Sequence, residues 1–160
     1  NLDDEGVFFL SKATCLPSLT SIDLSSNEIG ALGTKALSLS TSLSNINSLD
    51  LSYNRIESLG IHSLLKSDFG QGLKVLKLCD TCLGNEGVEE LARYSLKELE
   101  FVDLSENSIS EAGIETLAKS KTFPKLKKLV LNNNHIGDDG IYALSQSDMF
   151  CTTRISKWIE

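Results

Sequence analysis

The stretch Leu19-Thr20-Ser21-Ile22-Asp23-Leu24-Ser25-Ser26-Asn27-Glu28-Ile29 decides the fold, because its spelling returns four more times. INSLDLSYNRI begins at Ile46, LKVLKLCDTCL at Leu73, LEFVDLSENSI at Leu99 and LKKLVLNNNHI at Leu126. Each follows L-x-x-L-x-L-x-x-N-x-L, with Ile or Val in place of some leucines and Thr81 in place of the asparagine in the third. Four residues beyond each segment stands a glycine, at Gly33, Gly60, Gly87, Gly113 and Gly140, spaced by 27, 27, 26 and 27 residues. Leu37, Leu64, Leu91, Leu117 and Leu144 follow four residues later. Extended backward, the register lands on Gly6 and Leu10, the second half of a sixth unit. A fixed period of this length marks a stack of repeats, each burying its apolar side only against its neighbours.

Within a unit the period changes. In Ile22-Asp23-Leu24 and Leu49-Asp50-Leu51 apolar and polar residues alternate, as in a strand with one buried face. After each glycine the spacing turns helical: Ile61 with Leu64 and Leu65, Val88 with Leu91 and Ala92, Ile114 with Leu117 and Ala118. These residues resemble the leucine-rich repeat family, in its long-repeat class typified by ribonuclease inhibitor, from about Leu2 to Met149. The resemblance implies an α/β solenoid, a curved right-handed β-α superhelix with a parallel sheet on its concave face and helices on its convex face. The curvature has a physical cause. Neighbouring strands sit about 4.8 Å apart, whereas packed helices need roughly 8–10 Å. Residues 1–150 then form one repeat domain of about five and a half units, and 151–160, which leave the consensus register, form a C-terminal cap or the stump of further sequence. Ile155, Trp158 and Ile159 are placed to cover the last repeat. The incomplete first unit reads likewise as a cap or the stump of a longer array.

Composition narrows the partner. With a net charge of −7 and a pI near 4.9, the 160-residue chain suits neither nucleic acid nor an anionic membrane as principal partner. Its longest apolar run, Val7-Phe8-Phe9-Leu10, is far too short to span a bilayer. Four cysteines are too few for a disulfide scaffold, which points to reduced thiols and an intracellular, cytoplasmic setting.

If Ile22 and Leu24 point inward, their polar neighbours line the concave face. The central outward column is Asp23, Asp50, Lys77, Asp103 and Val130, preceded by Ser21, Ser48, Val75, Phe101 and Lys128. Ser25, Ser52, Cys79, Ser105 and Asn132 follow, and Ser26, Tyr53, Asp80, Glu106 and Asn133 stand at the strand exits. Asp23, Asp50, Asp80, Asp103 and Glu106 thus face Lys77 and Lys128, small serines let another surface approach, and Tyr53 and Phe101 are the aromatic anchors. A sheet roughly 25 Å across suffices for a standard interface of about 800 Å² per partner. Asp in L-D-L is equally a common filler of a solvated strand position.

Other patterns have structural explanations. Asn27, Asn54, Asn107 and Asn134 form a column whose carboxamides satisfy turn backbone; repeat three places Thr81 there. The glycines are close-packing positions at helix starts, unlike a phosphate loop. Glu57, Glu86, Glu111, Asp138 and Asp139 suit helix N-termini, and Gly137-Asp138-Asp139-Gly140 lacks the spaced ligands of a calcium loop. The bases from Lys119 to Lys128 read as a solvated helix end and loop. His62 and His135 align with no nucleophile, so no catalytic residue, cofactor or metal is expected.

Leu78-Cys79-Asp80-Thr81-Cys82-Leu83-Gly84 carries the Cys-x-x-Cys spacing of metal knuckles and redox dithiols. Tetrahedral zinc needs two more ligands, yet Cys15 and Cys151 lie more than two repeats away, and Cys79 falls near a strand end instead of a helix start. The register makes Cys79 an outward strand residue, hence an exposed thiol in the middle of the binding face.

These readings lead to a non-enzymatic module that binds another protein, of basic or mixed-charge surface, through the concave sheet, itself a monomer apart from that partner. The resemblance to ribonuclease inhibitor implies inhibition by covering an active site. The Ser-rich spelling also resembles short leucine-rich-repeat effectors that intracellular bacterial pathogens deliver into the host cytoplasm. The alternative is a recognition segment of a larger protein of GTPase-activating, immune-sensor or ubiquitin-ligase type. For GTPase activation, Arg55 is the one arginine on a loop edge, where an exposed structural arginine is the commoner case.

Overall fold

The computed structural model describes residues 1–14, 18–148 and 153–156. Six three-residue strands, β1 (Ser21–Asp23), β2 (Ser48–Asp50), β3 (Val75–Lys77), β4 (Phe101–Asp103), β5 (Lys128–Val130) and β6 (Arg154–Ser156), form one parallel sheet in chain order. The register places Ile22, Leu49, Leu76, Val102, Leu129 and Ile155 side by side. Backbone pairing runs on past each strand, with Tyr53 N donating to Cys79 O and Asp80 N to Ser105 O. The sheet therefore extends beyond these three-residue strands.

Helices return each unit to the next strand: α1 (Asp4–Ser11), α2 (Ala31–Ser38), α3 (Glu57–Lys66), the short α4 (Asp68–Gln71), α5 (Gly84–Arg93), α6 (Glu111–Lys119) and α7 (Gly137–Ser145). Glu57, Glu86, Glu111, Asp138 and Asp139 occupy first turns, and Lys35, Lys66, Arg93 and Lys119 occupy last turns, as the helix dipole favours. Leu37, Leu64, Leu91, Leu117 and Leu144 are fully or almost fully buried between helix and sheet, in a core continuous along the stack. The architecture is the expected α/β solenoid, an open parallel sheet on one side and helices on the other.

The repeating glycine lies one turn into each helix, where helices approach closely. A Cβ on Gly60 would come within 2.6 Å of Ile56 Cγ2 and 3.3 Å of the Ala31 backbone in α2. Only the missing side chain lets the preceding helix pass there.

The asparagine column is a ladder joining units. Asn54 accepts from Ile29 N of the preceding unit and donates to Leu24 O there and to Leu51 O and Ser52 O of its own. Asn107 accepts from Thr81 N and Leu83 N and donates to Leu78 O and Ser105 O. Asn134 repeats the pattern on Asn107 N, Ile109 N and Leu104 O. Thr81 donates to Leu78 O and lies within hydrogen-bond distance of Asn107 Oδ1, within its own unit and toward the next.

Two elements were hidden from the consensus. In α4, Ser67 caps the turn by accepting from Gly70 N, and Gly70 lies against the Leu64 carbonyl with no room for a Cβ. β6 adds a sixth strand where the spelling leaves the register. Arg154 N donates to Lys127 O, the buried Thr153 hydroxyl donates to Leu126 O, and Ile155 packs half-buried on the core. The pairing is made by backbone atoms, which carry no consensus spelling, so the missing leucines concealed it. Cys15, Cys151, Trp158 and Ile159 lie outside the described residues.

Candidate protein-binding face

Parallel pairing aligns Asp23, Asp50, Lys77, Asp103 and Val130 across neighbouring strands. The aspartates are first of all turn-makers. Asp23 Oδ1 accepts from Ser25 N at 2.9 Å, Asp50 Oδ1 from Ser52 N at 3.0 Å and Asp103 Oδ1 from Ser105 N at 3.0 Å. Each closes the bend at which the chain leaves the strand, a job that Asp side chains perform by mimicking a backbone turn. The hydrogen bonds from Ser25 hold Asp23 below the usual carboxylate range. Lys77 has no acceptor, and in its unit Cys79 N donates to the Ser52 hydroxyl instead.

Lys77 has another task. Its ammonium lies 3.0 Å from Asp50 Oδ2, and Asp23 and Asp103 add attraction from either side. That hydrogen bond and those charges raise its pKa and hold it protonated. A cation set in a row of acids removes the repulsion that adjacent carboxylates would otherwise impose. Phe101 and Lys128 are also mutual partners, with the ammonium 5.4 Å from the ring centroid, so the half-buried Phe101 is covered on one side.

The strand-exit residues share one backbone conformation. Ser26, Tyr53, Asp80, Glu106 and Asn133 all have positive φ, between 49° and 58°. This left-handed bend turns the chain out of the sheet and leaves Tyr53, Asp80 and Glu106 exposed. For Tyr and Glu it is a strained conformation, of the kind that collects at binding sites. Tyr53 and Asp80 border an edge groove of about 670 Å³ shared with Glu28, Arg55 and Cys82. Arg55 is exposed and bonds Glu57 Oε1 at 2.9 Å.

Three expectations are corrected. Cys79 is buried, not exposed: its sulfur lies 3.7 Å from both the Tyr53 hydroxyl and Glu106 Oε1, which close over it. Burial, with the charges of Asp103 and Glu106, pushes its thiol up to about 11, so it is a thiol and not a thiolate at neutral pH. The exposed cysteine of the pair is Cys82, in the edge groove. Ser52 and Ser105 are buried beneath the turns, so Ser21, Ser25, Ser26 and Ser48 remain as the accessible small residues. Val130 is also buried, which leaves the open part of the central column to Asp23, Asp50, Lys77 and Asp103.

The structure thus gathers the predicted residues into a charged row (Asp23, Asp50, Lys77, Asp103), a cluster of Tyr53 and Glu106 over Cys79, and the pair Phe101–Lys128. Asp80 stands apart at the edge. The groove around Arg55 and Cys82 was not anticipated, because a consensus repeat does not say which loop side chains share a recess.

The family model described as Leucine Rich repeat matches residues 15–38, 42–65 and 124–145. Comparison with curated proteins gives no significant match. With three segments matching that model and the described chain stacked in its strand–turn–helix units, the fold is a leucine-rich-repeat solenoid, an architecture that generally mediates protein–protein interaction.

Proposed function

We propose that the protein is a binding module that holds another protein against the outer side of its sheet, with Asp23, Asp50, Lys77, Asp103, Glu106 and Tyr53 as the contact surface. The observation that carries this is the row of carboxylates held in fixed positions by their own turns beside an exposed, strained Tyr53. Pre-fixed side chains lose little freedom on binding, and a rigid aromatic beside them is the usual anchor. The acids outnumber the bases on this face, which suits a partner of basic or mixed charge. Repeats of 26–27 residues with a full helix support the ribonuclease-inhibitor-like class, and with it inhibition by covering an active site. The Ser-rich uniform spelling supports an effector acting in a host cytoplasm.

The test is affinity purification with mass spectrometry, followed by binding measurements on Asp50→Asn with Asp103→Asn and on Tyr53→Ala. Asparagine keeps the turn acceptor while removing the charge, so the fold is preserved. At least tenfold weaker binding is expected; unchanged affinity overturns the assignment.

A further inference from the structure

Charged residues recur at both ends of the helices, and at three of these positions an exposed leucine stands instead. The residue before the repeating glycine is Glu5 in α1, Glu86 in α5 and Asp139 in α7, at helix starts where acids are favoured. In α6 it is the small Ala112, and in α2 and α3 it is the large apolar Leu32 and Leu59. Six residues after the glycine stand Lys12, Lys66, Arg93 and Lys119, at helix ends where cations are favoured; at the end of α7 it is the polar Gln146, and at the end of α2 it is Leu39. Leu32, Leu39 and Leu59 are 72%, 70% and 67% exposed. Neither the core nor the helix dipole calls for them.

Beside Leu39, the ends of α2 and α3 leave a groove of about 740 Å³ whose lining includes Lys35, Thr41, His62, Lys66 and the buried Phe69. Among the described residues Asp68 is the only acid on its walls, in a chain of net charge −7. The basic character stops at α5, where Glu86, Glu89 and Glu90 begin and His62 Nδ1 meets Glu90 Oε2 at 2.9 Å.

We propose that this α2–α3 groove is a second protein-binding site, separate from the sheet, for a segment that presents one bulky apolar side chain flanked by carboxylates. The apolar group packs on Leu39 and Phe69, and the carboxylates pair with Lys35 and Lys66. A recess of this size has room for an anchoring side chain together with the residues that flank it. A flat anionic membrane fits less well, because the acidic chain as a whole is repelled by it.

A random dodecapeptide phage library panned on the whole chain tests this. Enriched clones should share an apolar residue between Asp or Glu, and the synthetic consensus peptide should shift the amide resonances of Lys35, Leu39, His62 and Lys66. Leu39→Lys restores the cation of its column and adds positive charge, yet should weaken that peptide at least tenfold by removing the apolar contact. Lys66→Gln should weaken it about threefold or more, and Asp50→Asn with Asp103→Asn should leave it within twofold. A consensus without acids, or shifts on the sheet, overturns the proposal. So does self-association abolished by Leu39→Lys, which would make a second copy the occupant. Binding of phosphatidylserine vesicles lost in that variant would instead make it a membrane site.

Discussion

The hydroxyl of Tyr53 lies 3.7 Å from the sulfur of Cys79, one strand away, and together with Glu106 it encloses the thiol. The exposed aromatic proposed as the anchor for a partner therefore also shields the cysteine in the middle of the sheet.

Alkylation should separate the two thiols of LCDTCLG. In the folded protein iodoacetamide at pH 8 should modify Cys82 rapidly, while Cys79 reacts only after denaturation or in Tyr53→Ala. Peptide mass spectrometry reads the two sites directly.

The same burial predicts a pH dependence. The folded state holds Cys79 protonated up to about 11, whereas the unfolded chain releases that proton near 9. The stabilisation is therefore intact below pH 9 and lost as pH rises through 11, to the extent of roughly 2 kcal/mol. Urea denaturation from pH 8 to 11 should show a steeper fall for wild type than for Cys79→Ala.

Tyr53, at φ 57°, should trade stability for contact. Tyr53→Asn relieves the left-handed strain and is expected to stabilise the fold by about 0.5–1 kcal/mol while weakening partner binding. A lower urea midpoint would contradict this.

Position along the asparagine ladder should set its cost. Asn107 is buried and serves two units, so Asn107→Ala should destabilise by about 3 kcal/mol through several unsatisfied backbone groups. Asn27, half-buried at the first complete repeat, should cost about 1 kcal/mol. Denaturant midpoints of the two variants decide the order.

Gly60→Ala should destabilise by about 2 kcal/mol, more than helix propensity would suggest, because its Cβ meets Ile56 and the α2 backbone. Circular dichroism melts test it against Ala112→Gly at an exposed helical position.

The period of 26–27 residues, the strand and helix faces, the structural role of the asparagines and the open sheet were all legible in the sequence. They depend on spacing, and in a solenoid each unit meets only its neighbours, so the linear pattern already contains the contacts. Three-dimensional packing decided the rest. It buried Cys79 because side chains from two neighbouring strands, Tyr53 and Glu106, meet above it. It gave Asp23, Asp50 and Asp103 a turn to close as well as a surface to present. It added β6 through backbone pairing that has no spelling of its own. Such features depend on which atoms from different units converge on a point, and a repeat consensus records columns, not the contacts between them.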